Sequence, residues 1–125
     1  MQAVIPTMRA NSWGRIVNIS SIMATDGISR LAWYAAAKAG VHGLTRSLFR
    51  ELGPEGIPLN VVMPGLTLTE NVIQNFKTSV INLNAEKSPI GRLLRPDEVA
   101  KVVVFLASPA NTAVTGELIR VSGGV

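Results

Sequence analysis

Helical and strand-like segments alternate along this chain of 125 residues. The strand candidates are short apolar runs, each opened by glycine or proline: Gly14–Ser20, Pro58–Met63 and Gly116–Val121. The first has the continuous β-branched pattern of a strand buried on both faces. Because a helical segment precedes each strand, the order implies right-handed crossovers and a parallel sheet covered by helices. The sequence therefore predicts an α/β fold with three parallel strands.

The longest helical pattern runs from Leu31 to about Leu52. A glycine and a proline follow it, and this pair is typical of a helix end. Apolar residues recur along the segment at helical spacing, so we expect them to form its buried stripe. A second face has almost no side-chain bulk and permits close approach of another backbone. The stripe comprises Ala37, Val41, Leu44 and Leu48, and the small-residue face comprises Ala36, Ala39, Gly40 and Gly43.

Four further segments complete the predicted order. Met1–Arg9 has the spacing of the end of a helix, made irregular by its proline. Ser21–Arg30 has the turn residues of a loop. Pro96–Ala107 begins with proline and two acids, which favour a helix start. Thr67–Ser88 mixes a short amphipathic pattern with scattered asparagines, and we expect a mobile insertion there.

Composition excludes several classes of protein. With 47% apolar residues, the chain can form one modest core and is too apolar for intrinsic disorder. No apolar run approaches the roughly 20 residues of a membrane helix, and no cationic leader opens the chain, so we expect a soluble cytoplasmic protein. The absence of cysteine and the single His42 leave no usual ligand set for a metal. We therefore expect no metal centre.

The net charge of +4 does not by itself identify an anionic partner. The basic residues are scattered, and Arg92 with Arg95 is the nearest approach to a patch. No aromatic residues interleave with them as stacking platforms. The sequence therefore disfavours nucleic-acid binding.

Three residues could form a catalytic group. Tyr34 and Lys38 lie four residues apart on the long helix, so their side chains share one face. A neighbouring ammonium favours the phenolate form of a tyrosine, which makes the phenol a usable acid or base. Ser21 follows the first strand at the carboxyl end, where α/β proteins place ligands. Ordinary explanations stay open, since the tyrosine can pack on the lysine stem and Ser21 can merely end the strand.

Five motifs follow one another over nearly the whole chain. They are Gly14-Arg15-Ile16-Val17-Asn18-Ile19-Ser20-Ser21, Tyr34-Ala35-Ala36-Ala37-Lys38-Ala39-Gly40, Asn60-Val61-Val62-Met63-Pro64-Gly65, Arg95-Pro96-Asp97-Glu98-Val99-Ala100 and Thr115-Gly116-Glu117-Leu118-Ile119-Arg120-Val121-Ser122-Gly123-Gly124. Together they resemble the classical short-chain dehydrogenase/reductase family, whose members include 3-oxoacyl-[acyl-carrier-protein] reductases. One departure is Ser122, which stands where the family usually has aspartate.

The resemblance implies an oxidoreductase that interconverts an alcohol and a carbonyl with NAD or NADP. Tyr34 would be the general acid/base at the substrate oxygen, and Ser21 would hydrogen-bond that oxygen. Lys38 would favour the phenolate and hold the nicotinamide ribose. The expected partners are a small-molecule alcohol or carbonyl substrate and further copies of the chain in a dimer or tetramer.

The same resemblance implies a cofactor wall after the second strand. Pro64, Gly65 and Thr67 match the family's wall around the nicotinamide, and Thr69 matches a threonine often near the cofactor. Turn chemistry is the alternative, because Pro-Gly commonly ends a strand and a threonine commonly caps the next helix.

The family's glycine loop for the dinucleotide phosphates has no counterpart in this sequence. None of the 11 glycines forms even a Gly-x-Gly pair. Residues 1–125 are therefore interpreted as a partial Rossmann-type domain lacking the dinucleotide-binding half, with poor affinity for cofactor. The expected alternatives are a truncated or fragmentary enzyme and a non-catalytic oligomerisation subunit. Neither the substrate nor the choice between NAD and NADP follows from the sequence.

Overall fold

A computed structural model describes all residues from Met1 to Val125. The chain contains six α-helices and three β-strands, with at least one helix before each strand. A short 3-10 turn, Gly53–Glu55, follows the longest helix. The elements are α1 Ile5–Ala10, β1 Ile16–Ile19, α2 Met23–Asp26, α3 Ala32–Leu52, β2 Leu59–Pro64, α4 Glu70–Asn75, α5 Thr78–Lys87, α6 Pro96–Ala107 and β3 Leu118–Val121. No helix is both long and apolar enough to cross a membrane.

The three strands form one parallel sheet in the order β1-β2-β3. The register pairs Ile16 with Leu59 at one side of the sheet and Pro64 with Val121 at the other. The predicted α/β class and three-stranded parallel sheet are therefore confirmed. Because all three strands run the same way, their carboxyl ends meet at one edge.

The expectation that the first strand is buried on both faces is wrong. Within β1, Ile16 is buried, but Ile19 is 45% exposed. Within residues 1–125, β1 lies at the edge of the sheet and pairs with β2 alone, so its side chains have strand neighbours on one side only. In contrast, β2 lies between two strands, and its residues from Leu59 to Met63 are all buried. The apolar residues of β1 do not indicate which strands lie beside it, so they do not predict how far it is buried.

The main apolar cluster lies at the amino end of the sheet. It consists of Ile16, Leu52, Ile57 and Leu59, with side chains of α1 and α3 packed on it. A second cluster of Ile22, Val61 and Met63 lies under the residues that follow β1. The second cluster supports the carboxyl edge, where the predicted site residues lie.

The bounds of α3 confirm the predicted helix, but its expected apolar stripe is only partly buried. Ala37 is exposed and Leu44 is 46% exposed. The buried positions are instead His42, Thr45 and Leu52. The two polar side chains can face the sheet because Asn18 Nδ2 donates to Thr45 Oγ1 at 3.0 Å, and Ser20 Oγ lies 2.8 Å from His42 Nε2.

Two loop-like expectations also differ from the structure. Ser21–Arg30 contains the short helix α2, and Thr67–Ser88 forms α4 and α5 rather than one short helix. Phe76 has extended dihedral angles and separates α4 from α5. The single amphipathic pattern across this segment failed to predict two helices because Phe76 turns the chain between its halves. Thr69 begins α4, where its hydroxyl accepts from Val72 N at 3.3 Å.

Two buried asparagines hold the approach to β3. Asn60 Nδ2 donates to Val114 O at 2.8 Å, and its Oδ1 accepts from Glu117 N at 3.1 Å. Asn111 Oδ1 accepts from Val114 N at 2.8 Å. Because both amide side chains are almost fully buried, these bonds fix where the chain enters β3.

Candidate active site

The candidate site lies at the carboxyl edge of the sheet. The chain leaves β1 at Ser20 and Ser21 and leaves β2 at Gly65. Parallel pairing continues past the strand ends, since Ser20 N donates to Val62 O at 2.8 Å and Ile22 N donates to Pro64 O at 3.2 Å. The extended pairing fixes Ser21 beside the end of β2, in the crevice where open α/β sheets bind ligands.

A cavity of about 330 Å³ opens at this edge. It brings together two of the three predicted catalytic residues and two of the four predicted wall residues. Its volume falls within the range common for small-molecule sites. The lining residues are Ser21, Ile22, Met23, Ile28, Tyr34, Gly65, Leu66, Thr67, Phe76, Val80 and Asn84.

Ser21 is 8% exposed and faces the cavity with one donor available. Its Oγ accepts a hydrogen bond from Met23 N at 3.2 Å, at the start of α2. The hydroxyl hydrogen has no acceptor within the chain. A serine held in this way can donate to an oxygen atom of a bound molecule.

Tyr34 and Lys38 project from the first two turns of α3. Lys38 Nζ lies 5.8 Å from the centroid of the Tyr34 ring, which also meets Trp33 edge-on at 6.0 Å. The half-buried Tyr34 lines the cavity, and its hydroxyl makes no hydrogen bond within the chain. The phenol is therefore free to exchange a proton with a bound molecule, beside a cation.

Lys38 is held by the end of β1. Its Nζ donates to Ile19 O at 3.1 Å, and this is its one bond within the chain. An ammonium carries three donors, so two stay available beside Tyr34.

Gly65 and Thr67 form the facing wall of the cavity. Gly65 N donates to Val121 O at 2.8 Å, and a β-carbon at Gly65 would lie 3.0 Å from the Cα of Ser122. The close contact of two backbones accounts for glycine here. Thr67 Oγ1 donates to Gly65 O at 3.0 Å, so this hydroxyl braces the turn.

Pro64 and Thr69 do not line the cavity. Pro64 is the last residue of β2, where it pairs with Val121. Thr69 caps α4, which is the turn chemistry expected as the alternative to a cofactor contact. Each therefore has a structural role beside the site.

No pattern in the sequence indicated the contribution of His42 and Ser20. His42 is 9% exposed, and its Nε2 lies 2.8 Å from Ser20 Oγ, which also lies 3.0 Å from Lys38 O. Because a carbonyl oxygen only accepts, the Ser20 hydroxyl donates to Lys38 O, and His42 Nε2–H donates to Ser20 Oγ. We call these three residues the Ser20 network. It fastens the end of β1 to α3 between Ser21 and Lys38.

We expect His42→Gln to remove one source of acid sensitivity. Burial lowers the pKa of His42 from its ordinary 6.5, and the charge of Arg46 lowers it further. The unfolded chain then binds a proton at a pH where the folded chain does not, so the stability contributed by neutral His42 is complete above about pH 6.5 and falls below it. Urea unfolding at several pH values measures this loss.

Glutamine keeps an N–H donor for Ser20, which makes the variant a matched comparison. The free energy of unfolding of the wild type should fall more steeply than that of the variant as the pH drops from about 7.5 to 5.5. Parallel profiles would contradict the assignment of a neutral His42.

The chain is similar to several proteins that are named as reductases. The model of the family described as Enoyl-(Acyl carrier protein) reductase matches residues 1–125. A relative from Vibrio cholerae, 3-oxoacyl-[acyl-carrier-protein] reductase FabG, is 40% identical over 124 residues, covering 99% of this chain and 50% of its own length. The chain thus spans about half the length of the curated relatives it matches.

Two solved structures have the same fold over nearly the whole chain. An NADPH-bound short chain oxidoreductase from Pseudomonas aeruginosa, described as containing an atypical catalytic center, matches with a TM-score of 0.86 and 32% identity. It covers 99% of this chain and 50% of its own. A 3-oxoacyl-[acyl-carrier protein] reductase from Brucella melitensis with bound NAD matches with a TM-score of 0.87 and 34% identity, covering 99% and 45%.

Proposed function

Because this chain belongs to the short-chain dehydrogenase/reductase family, we propose that it carries the catalytic residues of an NAD(P)-dependent oxidoreductase that interconverts an alcohol and a carbonyl. One observation carries the proposal. Ser21 and Tyr34 line one cavity at the carboxyl edge of a parallel sheet, and Lys38 adjoins Tyr34. The relatives include a protein solved with NADPH and one solved with NAD.

In the direction of reduction, Ser21 donates its free hydroxyl hydrogen to the carbonyl oxygen of the substrate. Tyr34 donates its phenolic proton to the same oxygen as negative charge develops there. In oxidation, Tyr34 accepts that proton back. When bound, the nicotinamide cofactor supplies or accepts the hydride at the carbon atom.

Lys38 fits the nicotinamide half of such a cofactor. Its ammonium has two donors left after the bond to Ile19 O, which would hold the two hydroxyls of the adjoining ribose. Gly65 and Thr67 would form the wall against the nicotinamide, since both line the cavity beside Tyr34. Pro64 and Thr69 would act indirectly, by ending β2 and starting α4.

The chain offers no matching site for the adenosine diphosphate half. Its glycines lack the spacing of a phosphate-binding loop. We therefore expect the nicotinamide and its ribose to supply nearly all of the binding energy that residues 1–125 provide.

The test compares reduced nicotinamide mononucleotide with NADH and NADPH, each carrying deuterium at the reactive carbon, in the presence of a simple ketone. We expect deuterium at the carbinol carbon of the alcohol product. We also expect kcat/KM for the mononucleotide to lie within about fivefold of the value for the dinucleotides, since contacts that are never made contribute nothing to the transition state. Mass spectrometry of the alcohol measures the transfer.

A folded protein that transfers no deuterium from any of the three donors would contradict the oxidoreductase proposal. A strong preference for a dinucleotide would contradict the claim that the adenosine half is not bound. The substrate panel should be run with both NADH and NADPH, because the residues that would choose between them are not identified.

The second candidate function is a non-catalytic subunit that assembles with copies of itself. Exposed apolar side chains on two helices favour assembly: Trp33 on α3 is 71% exposed, and Val104 on α6 is 65% exposed. A second copy of the chain could cover such exposed apolar side chains. A homo-oligomer is compatible with either function, and only the deuterium experiment separates the two. A cytoplasmic location is part of the same proposal, since reduced nicotinamide cofactors would be the hydride source.

A further inference from the structure

The cavity beside Ser21 and Tyr34 has a strongly apolar body. Three elements contribute to it: Met23 from α2, Leu66 after β2, and Val80 from α5. Ile22, Ile28 and Phe76, which lies between α4 and α5, complete the apolar lining. An apolar surface of this kind stabilises a bound apolar ligand, because binding removes both from water.

No charged side chain lines the cavity. The nearest recess shares Met23, Leu66 and Asn84 with it and includes Arg92. The Arg92 guanidinium is already occupied, because Nη1 and Nη2 donate to the two carboxylate oxygens of Glu98 at 2.8 and 2.7 Å. The one nearby cation with free donors is Lys38, beside Tyr34. The proposed function assigns those donors to the cofactor ribose, so an anionic substrate would lose its hydration without gaining a cation of its own.

Few polar groups of the cavity have donors to spare. Thr67 Oγ1 donates to Gly65 O, and Asn84 Nδ2 donates one of its two hydrogens to Val80 O at 2.8 Å and keeps the other free. The hydroxyls of Ser21 and Tyr34 are the two that donate to nothing in the chain. The two hydroxyls can satisfy one carbonyl oxygen, but with only the remaining Asn84 hydrogen beside them, most of the many hydroxyls of a sugar would stay unpaired against the apolar wall.

From these contacts we infer that the substrate is an uncharged ketone or secondary alcohol with a compact apolar body, rather than a keto acid or a sugar. The inference rests on the proposed oxidoreductase function and names the substrate class of that site. A volume of about 330 Å³ holds on the order of ten water-sized groups at roughly 30 Å³ each. With no nicotinamide against Gly65 and Thr67, as in the binding experiment below, a monocyclic aryl ketone is of this size.

The test is a binding experiment that requires no cofactor, carried out on the Lys38→Met variant, because the Lys38 ammonium is free when no ribose is bound. Acetophenone, 4-acetylbenzoate and fructose are titrated into the protein and followed by saturation-transfer NMR, so that an apolar ketone is compared with its anionic counterpart and with a polyol. We expect acetophenone to bind at least about tenfold more tightly than either, because the cavity provides neither a free cation nor enough donors.

A matched pair of variants places the binding in the cavity. Val80→Asp puts a carboxylate on the cavity wall and is expected to weaken acetophenone binding at least about tenfold. Leu83→Asp makes the same change on α5 at a side chain that is 49% exposed and does not line the cavity. It should leave binding unchanged.

Equal or tighter binding of 4-acetylbenzoate or fructose would overturn the inference, as would failure of all three to bind. Equal effects of the two variants would overturn it too. Failure of the proposed function gives a different result: acetophenone binds in the cavity and responds to Val80→Asp, yet no deuterium is transferred to it.

Discussion

Tyr34→Phe is expected to lower kcat for carbonyl reduction by about 10²- to 10⁴-fold, the usual contribution of a positioned general acid. The substitution removes one hydroxyl, which lines the cavity and makes no hydrogen bond within the chain. The ring stays, and with it the edge-on contact to Trp33 and the neighbouring Lys38 ammonium. Single-turnover transfer of deuterium from the labelled cofactor measures the chemical step directly.

Trp33→Phe is the matched control. Trp33 is adjacent in sequence, is 71% exposed and does not line the cavity, so its replacement should leave the chemical step nearly unchanged. The binding of acetophenone should survive in both variants within about threefold, because the apolar wall is intact. A Tyr34→Phe protein that keeps kcat within about threefold of the wild type would remove Tyr34 from the mechanism.

Leu59→Ala is expected to reduce the free energy of unfolding by about 2–5 kcal/mol, the usual cost of truncating a fully buried leucine. Leu59 is 0% exposed and packs with Ile16, Leu52 and Ile57 at the amino end of the sheet. The loss would be a large part of the roughly 5–15 kcal/mol that stabilises a typical domain. Urea unfolding followed by circular dichroism measures it.

Leu83→Ala provides the comparison for this prediction. Leu83 is 49% exposed on α5, and its truncation should change the free energy of unfolding by less than about 0.5 kcal/mol. A loss at Leu59 no greater than the loss at Leu83 would contradict the packing of the Leu59 cluster.

The fold class could be predicted from the sequence because the spacing of the apolar residues agreed with the glycine and proline residues at the ends of the elements. Pro96 with two acids fixed the start of α6, and Gly53 with Pro54 fixed the end of α3. The buried face of α3 did not follow. His42 and Thr45 are not part of the predicted apolar stripe, yet both are buried because side chains of β1 and the residue after it satisfy their hydrogen bonds.

The candidate site was predictable where it depends on the ends of adjacent elements. Ser21 and Tyr34 were expected to meet, and both line one cavity. The remaining wall was not predictable, because Phe76, Val80 and Asn84 reach the cavity only through the turn between α4 and α5. No local sequence pattern predicts how far a pair of helices folds back over a sheet.

The Ser20 network and the cavity wall lie in different parts of the molecule. Substitutions in one can therefore occur without changing the other. Proton transfer is assigned to residues fastened between β1 and α3, whereas Val80 and Asn84 lie on a helix that contributes nothing to that fastening. Replacements along α5 can thus accumulate without displacing the reacting groups. A lineage built on this scaffold can change what it accepts while its chemistry stays constant.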